Sequence, residues 1–419
     1  MANSILTIDM ITRKALEILE NNLVLSRNVN RQYDDSFAVE GAKIGSTLRI
    51  RLPDRALVTN GAALQVQDDN EQYTTLTVST QKHIGVNFTS AELTMQLDDF
   101  AERVLKPRVS QLAASVDADV ANAYKSIYNS VGTPGTTPAT SLVLLQGQQK
   151  LNEFATPMDQ RYATVNPAAN AGLVEGMKGF FNPTGTISRQ FKSGMMGEGV
   201  FGYDEVNMSQ SIVQHLTGSR STSDTIVVNG TVTTQGASTI NLSGGTGSAT
   251  INAGDVFTIA GVYAVNPQTR QTTGSLQQFV VTAANVASSG SWTSVQVSPA
   301  IYTASQALAT VDSFPQNGAA ITFLGAANTS YPQNLIYQKN AITLGTADLL
   351  MPQGVDMASR QVHNGISMRI VRQYDINNDR MPCRIDVLYG YSVIRAPMAA
   401  RLWGCLLYTS PSPRDLSTS

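Results

Sequence analysis

Residues 107–131 read PRVSQLAASVDADVANAYKSIYNSV, and this stretch decides the fold. Its apolar residues recur every three or four positions, which is typical of an amphipathic helix. The apolar face comprises Val109, Leu112, Val116, Val120, Ala123 and Ile127. Pro107 suits the first turn of a helix or a kink, and Thr89 and Glu92 have the spacing of an upstream capping box. We expect a helix about 37 Å long, at about 1.5 Å per residue, around which a flat subunit is organised.

A second amphipathic pattern lies near the N-terminus. Its apolar face comprises Ile8, Ile11, Ala15, Leu19 and Leu23. The polar stretch 27–36 that follows predicts an extended arm. Two interpretations stay open, because a terminal helix can either pack on its own domain or reach outwards with the arm.

Two alternating segments flank a polar loop and predict a long β-hairpin. In residues 48–52 apolar side chains alternate with Arg49 and Arg51, and Pro53 ends the run. Alternation resumes over residues 76–88 and predicts one long strand. The connecting loop of roughly twenty residues is longer than a compact domain needs. We therefore expect the hairpin to be mobile or to reach a neighbouring subunit.

The composition changes abruptly at about residue 221. Residues 132–220 have a mixed α/β pattern, with a helix predicted at 141–154 and a strand at 161–165. Between residues 221 and 338 only four charged residues occur, and they are Asp224, Asp255, Arg270 and Asp312. Short β runs alternate there with turn signals, which predicts a small barrel or sandwich inserted in the larger domain.

Long alternation returns after the insertion. Residues 368–376 and 385–393 each alternate apolar with polar side chains, and Asn377–Arg380 between them suit a turn. We expect this hairpin to complete the sheet that began before the insertion.

The chain is poor in charge. Charged residues make up 14% of its 419 residues, against about 25% in ordinary soluble domains. Such a surface suggests coverage by neighbours, although an extracellular β-rich protein has a similar composition. The net charge of −2 argues against sequence-independent nucleic-acid binding. No secretory signal and no run of roughly 20 apolar residues is visible, so we expect no membrane contact and a cytoplasmic place of assembly.

Reactive groups do not converge in the sequence. His83, His215 and His363 are isolated and lack metal-ligand spacing. Cys383 is interpreted as a small structural residue. The glycines of residues 172–178 fail the spacing of a phosphate loop. We predict no catalytic residues, no cofactor and no metal, and hence no enzyme. Residues 405–419 look like a translated sequencing adapter and are left out of the fold prediction.

Several stretches match one family. They are Ser4–Phe37, Tyr162–Pro167, Gln190–Gly194, Phe201–Asp204, Arg372–Asn377 and Arg384–Tyr391. In these the chain resembles the coat proteins of the phage P22 type, which belong to the wider HK97-like capsid fold. The resemblance covers nearly all of residues 1–404, including the inserted β domain. One departure is the loop 242–248, which has no charge where the family carries a charged residue at a two-fold contact.

The resemblance implies an α+β, HK97-like architecture with an inserted barrel-like β domain. Its parts would be an N-terminal arm (1–35), an E-loop and peripheral domain with the spine helix (36–131), an axial domain (132–220), the inserted domain (221–325) and a return to the axial and peripheral domains (326–404). Within the second part, the E-loop would span about 45–80 and the spine helix about 90–131.

The same resemblance implies a function and partners. The chain would be a major capsid protein that forms pentamers and hexamers of an icosahedral virion head. It would assemble in the bacterial cytoplasm with a scaffolding protein and a portal protein, and DNA would meet it only by non-specific proximity. An encapsulin-like cellular compartment and an extracellular β-rich surface protein are the alternatives.

Two sets of charged residues are candidate contacts. Arg49 and Arg51 are hypothesised to pair with carboxylates of a neighbouring subunit. Asp9, Glu17 and Glu20 are hypothesised to present an acidic face to a basic segment of a scaffolding protein.

Overall fold

The computed structural model describes residues 8–34, 47–52, 55–56, 58, 61–62, 66, 73–88, 101–176, 197–221, 224–376 and 381–404. The chain divides into two compact units. Unit one contains residues 1–54, 60–123 and 339–395, and unit two contains 55–59, 124–338 and 396–419. The predicted capping box at Thr89 and Glu92, the segment Gln190–Gly194 and the tail 405–419 lie outside the described residues.

Strands predominate in both units. The α-helices of the described residues are α1 (Ile8–Asn22), α2 (Lys106–Ala121), α3 (Ser141–Glu153) and α4 (Pro167–Gly176). The strands are β1 (Asn30–Asp34), β2 (Thr47–Arg51), β3 (Tyr73–Thr77), β4 (Thr80–Phe88), β5 (Ser130–Val131), β6 (Arg161–Val165), β7 (Gly197–Val200), β8 (Tyr203–Met208), β9 (Gln214–Leu216), β10 (Val227–Val228), β11 (Ala237–Ser243), β12 (Thr250–Ile251), β13 (Val256–Val265), β14 (Thr272–Val281), β15 (Asn285–Val286), β16 (Ser291–Ile301), β17 (Ile321–Phe323), β18 (Ser330–Gln338), β19 (Ile342–Ala347), β20 (Met357–His363), β21 (Ile366–Arg372), β22 (Met381–Val393) and β23 (Ala399–Trp403).

Unit one is built on a six-stranded sheet. Its strand order is β1-β19-β22-β21-β20, and β4 also pairs with β22. The predicted pair of antiparallel strands after the insertion is confirmed as β21 and β22, which pair with Ile370 opposite Ile385. The turn predicted at Asn377–Arg380 lies outside the described residues. The first strand ends at Arg372, earlier than the predicted residue 376, and Tyr374 and Ile376 lie exposed beyond it.

Helix α1 packs on its own unit. It contacts α2 and β20, and its buried side chains include Ile11, Ala15, Leu16 and Leu19. The segment predicted as an extended arm contains β1, which pairs in parallel with β19. Of the two interpretations left open by the sequence, the described residues 8–34 therefore show packing on the same unit.

A buried carboxylate ties the loop after α1 to the predicted spine helix. Asp117 of α2 is 2% exposed. Its carboxylate accepts hydrogen bonds from the backbone N–H groups of Val24 (2.7 Å), Leu25 (3.3 Å) and Ser26 (2.9 Å). Backbone N–H groups that are buried need acceptors. Asp117 therefore fixes how the chain leaves α1.

The spine helix is shorter than its sequence predicts. A π-helical turn, Ala101–Leu105, precedes α2, and Pro107 lies in the first turn as expected. The prediction of a helix to residue 131 is wrong, because the chain tightens into a 3₁₀ turn at Asn122–Ser126 and then enters β5. Pairing of β5 with β23 satisfies the backbone there, and this tertiary interaction overrides the helical spacing.

The predicted strand over residues 76–88 is also interrupted. It consists of β3, which pairs with β2, and β4, which pairs with β22. Val78 and Ser79 lie between them. The β2–β3 pair is thus a separate two-stranded hairpin that continues from the sheet.

Unit two contains a seven-stranded sheet and the insertion. The sheet order is β5-β23-β18-β6-β8-β7, and β9 also pairs with β18. Helix α3 contacts β5 and β23. The hydrophobic core of this part includes Leu144, Leu151, Val165, Ile336 and Leu402.

The insertion forms a closed barrel. Its six-stranded sheet has the order β10-β11-β16-β14-β13-β17. A bridge between Val227 and Ala320 joins the two ends of this order, supported by the bond from Ile321 N to Ile226 O (2.9 Å). Its interior is filled by aromatic and branched side chains, among them Trp292. Of the two predicted forms, a small barrel or a sandwich, the structure has the barrel.

We expect Asp117→Ala to lower the free energy of unfolding of the unassembled subunit by roughly 2–4 kcal/mol, because three backbone N–H groups, two of them buried, lose their acceptor. Asp117→Asn keeps one acceptor oxygen and should cost less. Urea unfolding followed by circular dichroism measures both. A loss below about 0.5 kcal/mol for the alanine variant would contradict the role of this carboxylate.

Candidate functional site

The insertion joins its host sheet through two segments that are bonded to each other. We call residues 215–220 and 323–329 the junction. Thr217 N donates to Thr329 O (3.1 Å), and Asn328 N donates to Gly218 O (3.1 Å). The two segments therefore run side by side.

Arg220 closes the junction from one side. Its guanidinium donates to Gly325 O (3.1 Å) and lies 4.3 Å from the centre of the Phe323 ring. It also forms an ion pair with Asp255 at 3.2 Å. Arginine suits this position because its planar group can stack on a ring and donate in several directions at once.

Asp255 is the hub of the junction. Its carboxylate is 1% exposed and accepts from His215 Nε2 (2.8 Å), Gly218 N (3.1 Å), Arg220 (3.2 Å) and Asn252 N (3.0 Å). A buried carboxylate is tolerated only when it is paired and hydrogen-bonded. Asp255 belongs to the insertion, and its partners His215, Gly218 and Arg220 belong to the incoming segment.

His215 connects this carboxylate to Tyr124. Its Nδ1 lies 3.2 Å from the Tyr124 hydroxyl. One neutral tautomer satisfies both contacts, with Nε2–H donating to Asp255 and Nδ1 accepting from Tyr124. Burial lowers the pKa of His215, the bond with Asp255 opposes that shift, and the charge of Arg401 reinforces it.

The order Tyr124–His215–Asp255 is that of a proton relay, but its location points to a structural role. His215 is 2% exposed and Asp255 is 1% exposed. A relay acts on a substrate only when it lies within hydrogen-bond reach of it. The group is placed to hold the junction.

Arg401 of β23 contacts the residues next to the His215–Asp255 pair. It is fully buried and donates to Ile127 O (2.8 Å) and Gly254 O (2.7 Å). Its guanidinium lies 5.2 Å from the centre of the Tyr124 ring. Burial lowers the pKa of Arg401 from its usual value. One side chain thus links strand β23 to Gly254, which lies in the insertion just before β13.

Arg49 and Arg51, singled out by the sequence, lie on the β2–β3 hairpin. Both are exposed and two positions apart on one strand, so they share a face. The guanidinium of Arg49 lies 5.1 Å from the centre of the Tyr73 ring, and Tyr73 is 57% exposed. The structure brings the two arginines together at the hairpin surface.

A polar cluster holds the strand that follows this hairpin. Lys82 of β4 lies 2.7 Å from Asp119 of α2 and donates to Ser115 Oγ (2.6 Å). The hydroxyl of Tyr389 in β22 also donates to Asp119. Burial raises the pKa of Tyr389, and Asp119 raises it further. Three elements of unit one therefore share one carboxylate.

The candidate scaffolding contacts lie along α1 in different environments. Asp9 accepts a hydrogen bond from the Ser359 hydroxyl. Glu17 pairs with Lys14 at 3.2 Å, and its side chain is 58% exposed. Glu17 and Glu20 are neighbours on the helix surface, whereas Asp9 lies about 12 Å from Glu17 along the axis.

Glu20 takes part in a network within unit one. It accepts from Arg31 (3.1 Å) and Asn364 (2.6 Å), and His363 Nε2 lies 3.1 Å from it. Burial alone would raise the pKa of Glu20, but the bonds from Asn364 and Arg31 outweigh burial and lower it. Glu17 therefore has a far more open carboxylate than Glu20.

Among the described ranges, no group of three or more His, Cys, Asp or Glu side chains could hold a metal ion. No described helix is long and apolar enough to cross a membrane. Burial raises the pKa of the Cys383 thiol to about 12, which keeps it protonated at neutral pH, as suits a packing residue.

Comparison with known proteins gives two sequence matches. The family model for P22 coat protein, gene protein 5, matches residues 1–404. A major capsid protein of Acyrthosiphon pisum secondary endosymbiont phage 1 is 21% identical over an alignment of 336 residues, and the match covers 77% of this chain and 79% of that protein. These matches define a major capsid protein, which tailed phages assemble into the shell of the virion. Within that class, the chain belongs to the P22 coat protein family.

Solved structures that match the chain include the following two. One from Mycobacterium phage Che8 is 10% identical, has a TM-score of 0.45, and covers 91% of this chain and 90% of that one. The CUS-3 coat protein I-domain is 30% identical, has a TM-score of 0.19, and covers 25% of this chain and 98% of that one.

Family membership confirms the resemblance inferred from sequence and, with it, the HK97-like α+β class. The encapsulin-like and extracellular alternatives are not favoured. The chain is a structural protein that self-assembles into a shell and is located in the virion.

Sequence reasoning missed the junction. The sequence marks Asp255 only as one of four charged residues between residues 221 and 338. A lone charge in so apolar a segment was the signal, because such a group must find a buried partner. Arg220 and Arg401 could not be matched to it from spacing.

We expect His215 to make stability depend on pH. Its folded pKa is lowered, so the unfolded chain binds more protons as the pH falls below about 6.5, and stability decreases there by up to about 1.4 kcal/mol per pH unit. His215→Gln should flatten this slope in urea titrations at pH 7.5 to 5, whereas the exposed control His363→Gln should retain it. An unchanged slope in His215→Gln would refute the assignment.

Proposed function

We propose that this chain forms the pentamers and hexamers of an icosahedral phage head. Assembly takes place in the bacterial cytoplasm with a scaffolding protein and a portal protein. Double-stranded DNA is enclosed but contacted only by proximity. Membership of the P22 coat protein family supports the proposal that the chain forms a phage head. The net charge of −2 supports the proposal that the shell has no phosphate-binding surface.

We also propose the division into arm (1–35), E-loop, spine and peripheral domain (36–131), axial domain (132–220), insertion (221–325) and return (326–404). The closed barrel, whose incoming and outgoing segments are hydrogen-bonded to each other, supports the bounds 221 and 325 of the insertion. The protein acts without enzymatic chemistry, and the buried position of His215 and Asp255 supports this.

The β2–β3 hairpin carries the proposal for contact between subunits. Within the described part of the chain it pairs with no third strand. A two-stranded hairpin is marginally stable in water unless another surface covers it. Exposed Tyr73, Arg49 and Arg51 give this hairpin a surface suited to an acidic partner face. A neighbouring copy supplies that face.

The charge reversal Arg49→Glu/Arg51→Glu should lower the rate of shell assembly at least tenfold, because pairs with carboxylates become repulsive. Light scattering of purified subunits with scaffolding protein measures the rate. The matched variant Arg49→Lys/Arg51→Lys keeps the charge and should assemble more readily than the reversal. Shell formation by the reversed variant at the wild-type rate would overturn the role of the hairpin.

The acidic face of α1 is the proposed contact for a basic segment of scaffolding protein. Glu17 supports this most directly, since its carboxylate is largely open. Asp9 and Glu20 contribute charge while bonded within unit one. A contact of this kind weakens as salt screens exposed charges.

We expect Asp9→Asn/Glu17→Gln/Glu20→Gln to incorporate less scaffolding protein than wild type at low salt, with the difference shrinking at high salt. Glu17→Gln alone should reduce incorporation with little change in unfolding free energy. Glu20→Gln shows how far a loss of stability alone affects incorporation, because it disturbs the hydrogen bonds of Glu20 with Arg31 and Asn364. Sedimentation of assembled particles, with bound scaffolding protein quantified, tests this. Equal incorporation by the triple variant at both salt concentrations would exclude the contact.

A further inference from the structure

The chain changes direction where the hairpin meets the sheet of unit one. Strand β3 ends at Thr77 and β4 begins at Thr80. Leu76 is fully buried and Val78 is 3% exposed, whereas Thr75 and Thr77 are exposed. We call Leu76–Val78 the hairpin base. It is the point at which the hairpin is anchored.

Two glycines lie directly opposite each other beneath this base. Gly345 of β19 pairs with Gly390 of β22. Neither has a φ in the left-handed region. Their backbone conformation is open to any residue, so glycine is needed there for space.

The space is taken by the hairpin base. A Cβ at Gly390 would lie 2.0 Å from the Thr77 carbonyl oxygen and 3.0 Å from Val78 Cα. A Cβ at Gly345 would lie 2.4 Å from Leu76 Cδ2. Real Cβ contacts essentially never fall under 3.0 Å. The hairpin base therefore packs directly on the two strands where both lack side chains, with its backbone over Gly390 and the Leu76 side chain over Gly345.

We infer that the Gly345–Gly390 pair is a seat that sets the angle at which the β2–β3 hairpin leaves the sheet, and so positions it for a neighbouring copy. This inference rests on the proposed function of the hairpin. A Cβ at residue 390 would have to lie at least 3.0 Å from the Thr77 carbonyl oxygen instead of 2.0 Å. It would therefore push the hairpin base away from the sheet by about 1 Å or more. The five residues of β3 span about 16 Å, so a tilt at the base displaces the far end further.

The seat differs from ordinary core packing in what it controls. The hairpin base also packs through Val78 against Ala347, Leu349 and Leu388. Those contacts hold the base to the sheet. The glycine pair determines how closely the Thr77 backbone and the Leu76 side chain approach the sheet, and thereby the direction of the hairpin.

The test is Gly390→Ala in the full chain. We expect the subunit to fold and to unfold cooperatively. Its assembly with scaffolding protein should either slow at least tenfold or give shells whose diameter, measured by electron microscopy, is altered. The control is Gly85→Ala in β4, where a Cβ would meet nothing within 4 Å. It should assemble as wild type does.

Gly345→Ala is the second variant, because its added methyl meets the end of the Leu76 side chain instead of backbone. It should fold and show a smaller defect of the same kind. Wild-type shells and rates from Gly390→Ala would overturn the seat, as would failure of both variants to fold, since the glycines would then serve packing alone.

The arginine variants separate this inference from the proposed function. If charge reversal at Arg49 and Arg51 blocks assembly while Gly390→Ala assembles normally, only the seat fails. If charge reversal has no effect, the contact of the hairpin with a neighbour fails, whatever the glycine variants do.

Discussion

The register of strand β22 is the constraint on which unit one depends. This strand of 13 residues pairs with β4, β19 and β21. It places Tyr389 beside Asp119, Gly390 beneath the hairpin base, and fully buried Asp386 between Arg369 and Arg384. A slip of one residue would turn each side chain to the opposite face. It would leave a buried carboxylate unpaired and fill the glycine seat, so the pairing is strongly specified.

Asp255 plays a comparable part in unit two. Exchanging a buried ion pair for apolar residues changes stability little, but removing one partner is costly. The carboxylate with its four donors therefore specifies one arrangement of the junction more than it adds to net stability. Arg401 extends the same specification to the last strand.

Local patterns in the sequence were sufficient for the elements that local forces determine. The face of α1, the β21–β22 hairpin and the inserted barrel followed from periodicity and turn residues. The end of α2 at Ala121 and the break between β3 and β4 did not, because each depends on pairing with strands about 270 or 310 residues away. Arg49 and Arg51 can be predicted as a pair because they lie two positions apart on one strand. The partners of Asp255 and the Gly345–Gly390 seat bring together residues that are distant in sequence, so only the structure shows them.

The bonded ends of the insertion have a consequence for how such a chain can evolve. Thr217 and Thr329 meet at 3.1 Å, as do Gly218 and Asn328. A short turn could join these ends without parting the strands of the host sheet. The barrel has its own core and no open edge within the described residues. Such a module can be exchanged in one genetic step for another that supplies the partners that Arg220 and Arg401 find here in Asp255 and Gly254.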